Sequence, residues 1–462
     1  MSLRTHPVVN AIRESLVASH TQAGATFYGW KLSVAKKQLA QTLMLGDSIV
    51  GLKPYQQRSV EDLSYTLFVY ARHGEHQGVG NITLDPLQPF TPQIDQAFSN
   101  AQLASNPPWD LAQPSDAAYA EVQTADPLLV ADLAGAHRGM QQDVAAKAAT
   151  AEGVNINSAE LFTTLTETYM ETATGISASK QVSDIYFEIA LEKLPLPNTE
   201  EVLQYKKALS IADANLGGFI DDAIAEALDI GKSNLPDTQD NATILVDKHC
   251  IAALLEALES QLNAQAEYQK GPHLLQGDLI NTLERHPDSD ALTVTLDPFL
   301  PVMACSTPFT GEGIPAEKGI MIERNVVKHQ AVDSRMAAYL DRNVNAVCGN
   351  LVVSLGSASK NELIAQEDDC IEIVAFSSLL VNDSTLTWSS EIKLAKHYRQ
   401  GKLLGMIKGG VVSGNIRENF SHFALSNESA VLNNIADAFS HALGYVGPSA
   451  MLIKAGVKIA GK

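Results

Sequence analysis

Apolar positions spaced three to four residues apart predict a helix over Pro7–Ser19, where Val8, Val9, Ile12, Leu16 and Val17 share a face. Ala25–Val34 and Gln41–Leu52 read as strands with a polar break between them. Tyr65–Tyr70, then Gly74, Gly78 and Gly80, then Ile82–Leu84 read as a β-hairpin. Thr91–Ala104 reads as helix, Pro-rich Ser105–Ser115 as a surface connection, and Ala-rich Leu128–Thr150 as helix. Leu161–Met170 and Val182–Leu191 read as two strands about a turn at Gly175, because Thr164, Thr166 and Thr168 alternate with Leu165, Glu167 and Tyr169. Pro195 and Pro197 end that run. Thr199–Leu228 reads as a long helix interrupted at Gly217-Gly218.

The polar, Pro236-containing stretch Ser233–Asn241 is the best domain boundary. A β-type run, Ala242–Val246, precedes a short amphipathic helix, Ile251–Leu262. Ile251, Leu254, Leu255, Leu258 and Leu262 form its apolar stripe, and Glu256 and Glu259 fall outside it. Beyond Leu262 the pattern is mainly β, with strands predicted at Ala291–Asp297, Ile320–Val327, Asn350–Leu355, Ile371–Leu380, Leu386–Lys396 and Leu403–Val412. Short helices are predicted at Ser334–Leu340, Lys360–Ala365 and Asn433–Leu443. Helices and strands in separate runs predict an α+β fold: an N-terminal α+β domain over residues 1–235 and a β-rich C-terminal domain over 236–462.

Charge narrows the function. Lys and Arg number 33 against 53 Asp and Glu, a net charge of −20, and no long basic run occurs. Nucleic-acid binding needs clustered cations to displace counterions, so it is not expected. No apolar run approaches the roughly 18 residues of a membrane span, and the N-terminus lacks the apolar block of a signal peptide. The four cysteines, Cys250, Cys305, Cys348 and Cys370, form no C-x-x-C pair. These features predict a cytoplasmic protein.

Candidate chemistry is sparse. His73-Gly74-Glu75-His76 looks metal-like, but on a strand His73 and Glu75 share one face and His76 takes the other, so an exposed hairpin tip is expected. His249-Cys250 are adjacent and diverge. No G-x-S-x-G elbow occurs, and Gly78-Val79-Gly80 lacks the third glycine of a dinucleotide loop. Gly409, Gly410, Ser413, Gly414 and Asn415 form either a tight turn between strands or an exposed edge that holds a peptide backbone.

Several segments resemble the TldD/PmbA (TldD/TldE) family. They are Glu167–Ile176 (ETYMETATGI), Ser306–Phe309 followed by Gly311–Pro315, Ile322–Val327 (IERNVV), Asp333–Leu340 (DSRMAAYL), Gly349–Gly356 (GNLVVSLG) with Lys360–Ala365 (KNELIA), and Gly410–Phe420. Their order and spacing over roughly residues 160–462 carry the match; the first 150 residues are similar only in outline. Thr172-Ala173 and Thr310-Gly311 depart from the family pattern.

The resemblance implies a function. TldD-like members carry H-E-x-x-x-H on a helix and a late cysteine ligand, which hold a zinc ion; the Glu polarises water. Laid on that helix, Leu255 and Ser260 stand at the two His positions and Glu256 at the Glu, and no cysteine follows Cys370. The chain is therefore similar to the PmbA/TldE kind. The resemblance implies no metal of its own, zinc only in a TldD-like partner subunit, and a peptide substrate. It leaves open pairing with that partner or with itself. Glu256 is then a vestige of the catalytic position or a solvated helix residue. Two alternatives stand: an independent metallopeptidase with an unrecognised metal site, and a homodimeric peptide-binding scaffold without proteolysis. The family's label as a modulator of DNA gyrase implies at most an indirect link.

Overall fold

The computed structural model describes residues 2–17, 21–22, 25–47, 51–196, 201–230, 233–436 and 441–462. Its fold is α+β, with largely antiparallel sheets.

The N-terminal part runs α1 (Pro7–Val17), β1 (Thr21–Gln22), β2 (Ala25–Asp47), β3 (Gly51–His73), β4 (His76–Thr83), α2 (Phe90–Ala101), α3 (Pro127–Ala131), α4 (Leu133–Ala148), β5 (Val154–Thr172), β6 (Ser177–Lys193), β7 (Glu201–Ala208), α5 (Ile211–Ala214) and α6 (Leu216–Ile230). Its seven strands form one sheet in the order β4-β3-β2-β5-β6-β7, with β1 added beside β2.

The strand expected at 25–34 and residues 41–47 of the one expected at 41–52 are one 23-residue strand, β2; residues 48–50 lie outside the described residues, and Gly51 and Leu52 begin β3. The polar break does not interrupt β2, because Lys36 and Gln38 pair across to Glu61 of β3 at 3.1 and 2.9 Å. That stretch lies between two helix-covered patches, where polar side chains suit the surface. The hairpin turn at Gly74-Glu75 and the β5–β6 turn at Gly175 lie where alternation placed them. Residues 105–115 are irregular as expected, but Trp109 is buried.

The predicted helix 128–150 is two helices. Asp132 ends α3, and its carboxylate accepts the Gly135 amide at 2.8 Å to cap α4. The predicted helix 199–228 is corrected more deeply. Residues 201–208 are the edge strand β7, paired with β6 from Ile185 to Glu192. Here sheet pairing overrides helix propensity. The helical part breaks at left-handed Asn215, and Gly217-Gly218 lie inside the first turn of α6. Residues 18–19 and 199–200 of the predicted helices lie outside the described residues.

Helices cover one face of this sheet. Val9, Ile12, Ile94 and Phe98 of α1 and α2 pack on Leu32, Val34, Leu67 and Val69. Met140, Val144, Ile220 and Ala223 of α4 and α6 pack on Met44, Leu161, Ile185 and Phe187. A partly buried ion pair, Arg13–Glu171 at 2.8 Å, ties α1 to β5.

From Ser233 onward the chain builds two further sheets, one of six strands and one of ten. Helix α7 (Lys248–Ser260), expected at 251–262, lies between them. Ile251, Leu254, Leu255 and Leu258 meet Leu296, Leu351 and Tyr445 of the smaller sheet and Ile244, Ile373 and Trp388 of the larger. The expected strand 320–327 folds back at Arg324-Asn325, both at positive φ. The expected strand 403–412 becomes Lys402–Ile407 and Val411–Asn415. The expected helix 433–443 is corrected: Asn433 and Asn434 end a strand paired to Leu443–Pro448, and residues 437–440 lie outside the described residues. No described helix is long and apolar enough to cross a membrane.

Candidate functional site

The segments that stand out in sequence build the joint between the first sheet and the C-terminal body. The β5–β6 turn brings Ile176 against Gly313, whose φ of +81° and tight contact leave no room for a side chain. Met170, Ile176, Ala178 and Phe309 form a small apolar cluster there. Glu312 accepts from the Ser334 amide and hydroxyl at 3.1 and 2.9 Å and so fixes the start of helix Ser334–Leu340. Asn350, fully buried, donates to Asp297 O and Ser306 Oγ and accepts from the Cys305 amide.

This joint sets side chains from distant segments around the polar side of α7. Glu256 and Glu259 are half-buried there. Burial pushes Glu259 up to about 7, and the neighbouring Glu256 charge adds to it. Burial also raises Glu256, against the opposing charge of His441. Thus Glu256 is not a freely solvated helix residue. From β6, the Lys180 ammonium donates to Thr307 Oγ1 at 3.3 Å, and burial lowers its pKa. The Cys305 thiol donates to Ala442 O at 3.2 Å. Burial pushes it up to about 11, with Glu259 and Glu256 adding to the rise and Lys180 opposing it. Burial raises Cys348 too, and Lys180 and Glu259 act on it.

Both thiols are protonated at neutral pH, so neither is an activated nucleophile. Glu259 is part-protonated and can both give and accept hydrogen bonds. Of this group only Glu256 and Glu259 carry a local signal, being the polar side of an apolar helix. Lys180, Cys305, Cys348 and His441 come from segments with no shared pattern.

The positions implied for zinc do not fit it. Leu255 is buried in the core, and the Ser260 hydroxyl donates to Ala257 O at 2.7 Å. Among the described residues no group of three or more His, Cys, Asp and Glu is placed to hold a metal ion. Cys250 is buried in the core while His249 is exposed, so the adjacent pair diverges. His73 and His76 are direct cross-strand partners with rings 5.8 Å apart, not on opposite faces; the two-residue turn returns the chain to the same side.

The glycine-rich candidate is split by the structure. Gly409 and Gly410, both at positive φ, form the turn. Ser413, Gly414 and Asn415 lie on a strand, Val411–Asn415, paired on both sides, to Thr387–Glu391 and to Val457–Ala460. Its backbone is therefore taken, and no edge is free for a peptide. The three residues do line an open groove of about 1030 Å³ with Trp388, Asn382 and Lys454.

The burial of Glu259 has a measurable consequence. Its carboxyl binds a proton more tightly in the folded chain than in the unfolded one, so stability is full below the unfolded pKa and is lost as pH rises through about 7. Relative to Glu259→Gln, the natural chain should lose on the order of 2 kcal/mol between mildly acidic and mildly alkaline pH. Urea unfolding of both proteins across that range checks this; parallel curves would refute it.

Residues 239–461 match the family model for the PmbA/TldA metallopeptidase C-terminal domain. Three solved structures share the fold nearly end to end. A candidate modulator of DNA gyrase from Bacteroides thetaiotaomicron VPI-5482 is 17% identical, with 98% of this chain and 97% of that chain covered and a TM-score of 0.77. TldE from Thermococcus kodakarensis is 15% identical, with 98% and 99% covered and a TM-score of 0.72. A candidate modulator of a DNA gyrase from Thermotoga maritima MSB8 is 15% identical, with 97% and 99% covered and a TM-score of 0.73. At these identities the likeness is one of fold. No curated protein matches the chain by sequence.

Proposed function

We propose, from the family match over residues 239–461 and the shared fold, that the chain is a metal-free subunit of the TldE kind, which holds peptides for a metalloprotease whose zinc sits in a TldD-like partner. The observation that carries this reading is the state of α7: a core leucine and a backbone-bonded serine stand where the zinc-bearing kind has its histidines. Leucine offers no donor atom, and a serine hydroxyl is a poor zinc ligand. In this reading residues 1–235 and 236–462 are the two domains. The joint between them frames the peptide chamber, and Glu256, Glu259 and Lys180 supply hydrogen bonds there. The chain acts in the cytoplasm and has no nucleic-acid partner, in keeping with its charge of −20.

The test is elemental mass spectrometry of the purified chain, with cleavage of an unfolded peptide measured alone and with a TldD-like zinc chain from the same source. The expected result is zinc well below one per chain, no cleavage alone, and cleavage on mixing that exceeds that of the zinc chain by itself. Stoichiometric zinc with chelator-sensitive cleavage by this chain alone would overturn the reading. So would a mixture no more active than the zinc chain, which would favour a self-paired scaffold.

A further inference from the structure

Among the described residues no helix packs on the second face of the seven-stranded sheet. Strand register sets its side chains in rows across β3, β2, β5, β6 and β7. One row reads Gln56, Leu43, Glu160, Glu188, Tyr205; the next reads Arg58, Gln41, Phe162, Tyr186, Lys207; a third reads Val60, Leu39, Thr164, Asp184. The C-terminal body reaches this face at Met170 and Ala178, beside Phe309, at Lys31 and Lys180, which donate to Gly311 O and Thr307 Oγ1, and at Lys207, which donates to Ile435 O.

Phe162, Tyr186 and Tyr205 form a stack across three strands, with ring centroids 5.7 and 6.2 Å apart and planes 28° and 17° from parallel. Tyr205 is 58% exposed and Leu203 beside it 50%. An aromatic ladder whose outer end is exposed to solvent offers a binding surface for an occupant.

Charge decides which occupant. Glu160 and Glu188 are direct cross-strand partners, an arrangement that costs stability unless a cation lies between them. Burial and the Glu188 charge both raise the pKa of Glu160. Burial raises Asp184 to about 6, with Lys37 and the Thr164 hydroxyl opposing. The Tyr186 hydroxyl donates to Glu188 at 2.6 Å. The cations of the face lie in other rows: Lys53 and Arg58 on β3, Lys37 across from Asp62, Lys31 and Lys180, which donate to Gly311 O and Thr307 Oγ1, and Lys207, whose ammonium donates to Ile435 O. The row holding Glu160 and Glu188 has none.

We propose that this part of the face binds an extended peptide through its Lys or Arg side chains, which lie over the Phe162–Tyr186–Tyr205 stack and between Glu160 and Glu188. A cation over an aromatic face gains from the ring quadrupole, and a guanidinium gains hydrogen bonds from the two carboxylates as well. Phosphate-bearing ligands meet the wrong charge. A second copy of this chain would set the same carboxylates against themselves.

This rests on the peptide-handling reading above and gives it a substrate class. The test is fluorescence anisotropy with labelled peptides of one length in three compositions: Arg/Lys with Gly and Ser, neutral Gly-Ser-Thr, and Asp/Glu with Gly and Ser. The basic peptide should bind about 10-fold tighter than the neutral one, a difference of about 1.4 kcal/mol, and the acidic one weakest. Glu160→Gln with Glu188→Gln should remove that preference, bringing the ratio of basic- to neutral-peptide affinity close to one. Tyr205→Ser, at an exposed edge position that does not endanger folding, should weaken basic-peptide binding several-fold.

Equal binding of all three compositions, or basic-peptide binding untouched by the variants, would overturn the proposal and spare the peptide-handling reading. No binding of any peptide would tell against both. Sedimentation of the same samples supplies the remaining outcome: a dimer that Tyr205→Ser dissociates would assign the face to a second copy and overturn the proposal.

Discussion

Gly349→Ala should destabilise the folded chain by about 4 kcal/mol, or prevent its accumulation, from backbone strain and overpacking together. Gly349 has φ +123°, a region that L side chains rarely adopt, and an added Cβ would lie 2.3 Å from Pro298 N and 2.4 Å from Asp297 C. Those are backbone atoms, so no rotamer change relieves the collision. The loop at Asp297-Pro298 would have to move, and with it the joint that carries Cys305, Thr307 and Phe309. Gly139→Ala is the control. It lies in α4 with nothing within 4 Å of the added methyl, so it should be neutral or stabilise by up to about 1 kcal/mol through helix propensity. Urea unfolding of the two variants measures both effects. A Gly349→Ala protein as stable as the control would mean that the close approach to Asp297 is not structural.

Asn350→Ala should cost about 3 kcal/mol, because it strands several buried polar groups at once. The side chain, 0% exposed, donates to Asp297 O at 2.8 Å and Ser306 Oγ at 3.0 Å and accepts from the Cys305 amide at 2.9 Å. Alanine fills none of these roles and leaves no route for bulk water. The Cys305 loop should loosen as well as the fold weaken. Cys305 should therefore react faster with a thiol reagent in the variant, as read by peptide mass mapping. Cys250 and Cys370, buried in other parts of the core, should not change. Unfolding loss without faster Cys305 labelling would place the cost elsewhere than in this loop.

Local pattern made much of the fold legible. Alternation placed the β5–β6 hairpin about Gly175, and the turn at Gly74-Glu75 needed only its glycine and flanking strands. Helix α7 followed from its leucine spacing, and the helix at Lys360–Ala365 from Ser359 and Glu362, which form a capping box. Where local pattern misled, a partner strand had intervened. Lys36 and Gln38 read as a break until Glu61 of β3 is beside them, and Glu201–Ala208 read as helix until β6 pairs with it.

The sequence by itself determined the element types with strong period, the net charge of −20, and the lack of donor atoms at Leu255. These depend on residue identity or on neighbours two to four positions apart, and both are written locally. Only the tertiary structure decided that Glu256 and Glu259 are half-buried together, that Ser413–Asn415 lie mid-sheet, and that Phe162, Tyr186 and Tyr205 stack on an open face. Each of these is set by segments tens of residues apart, and burial and register between such segments come from packing that no single stretch encodes.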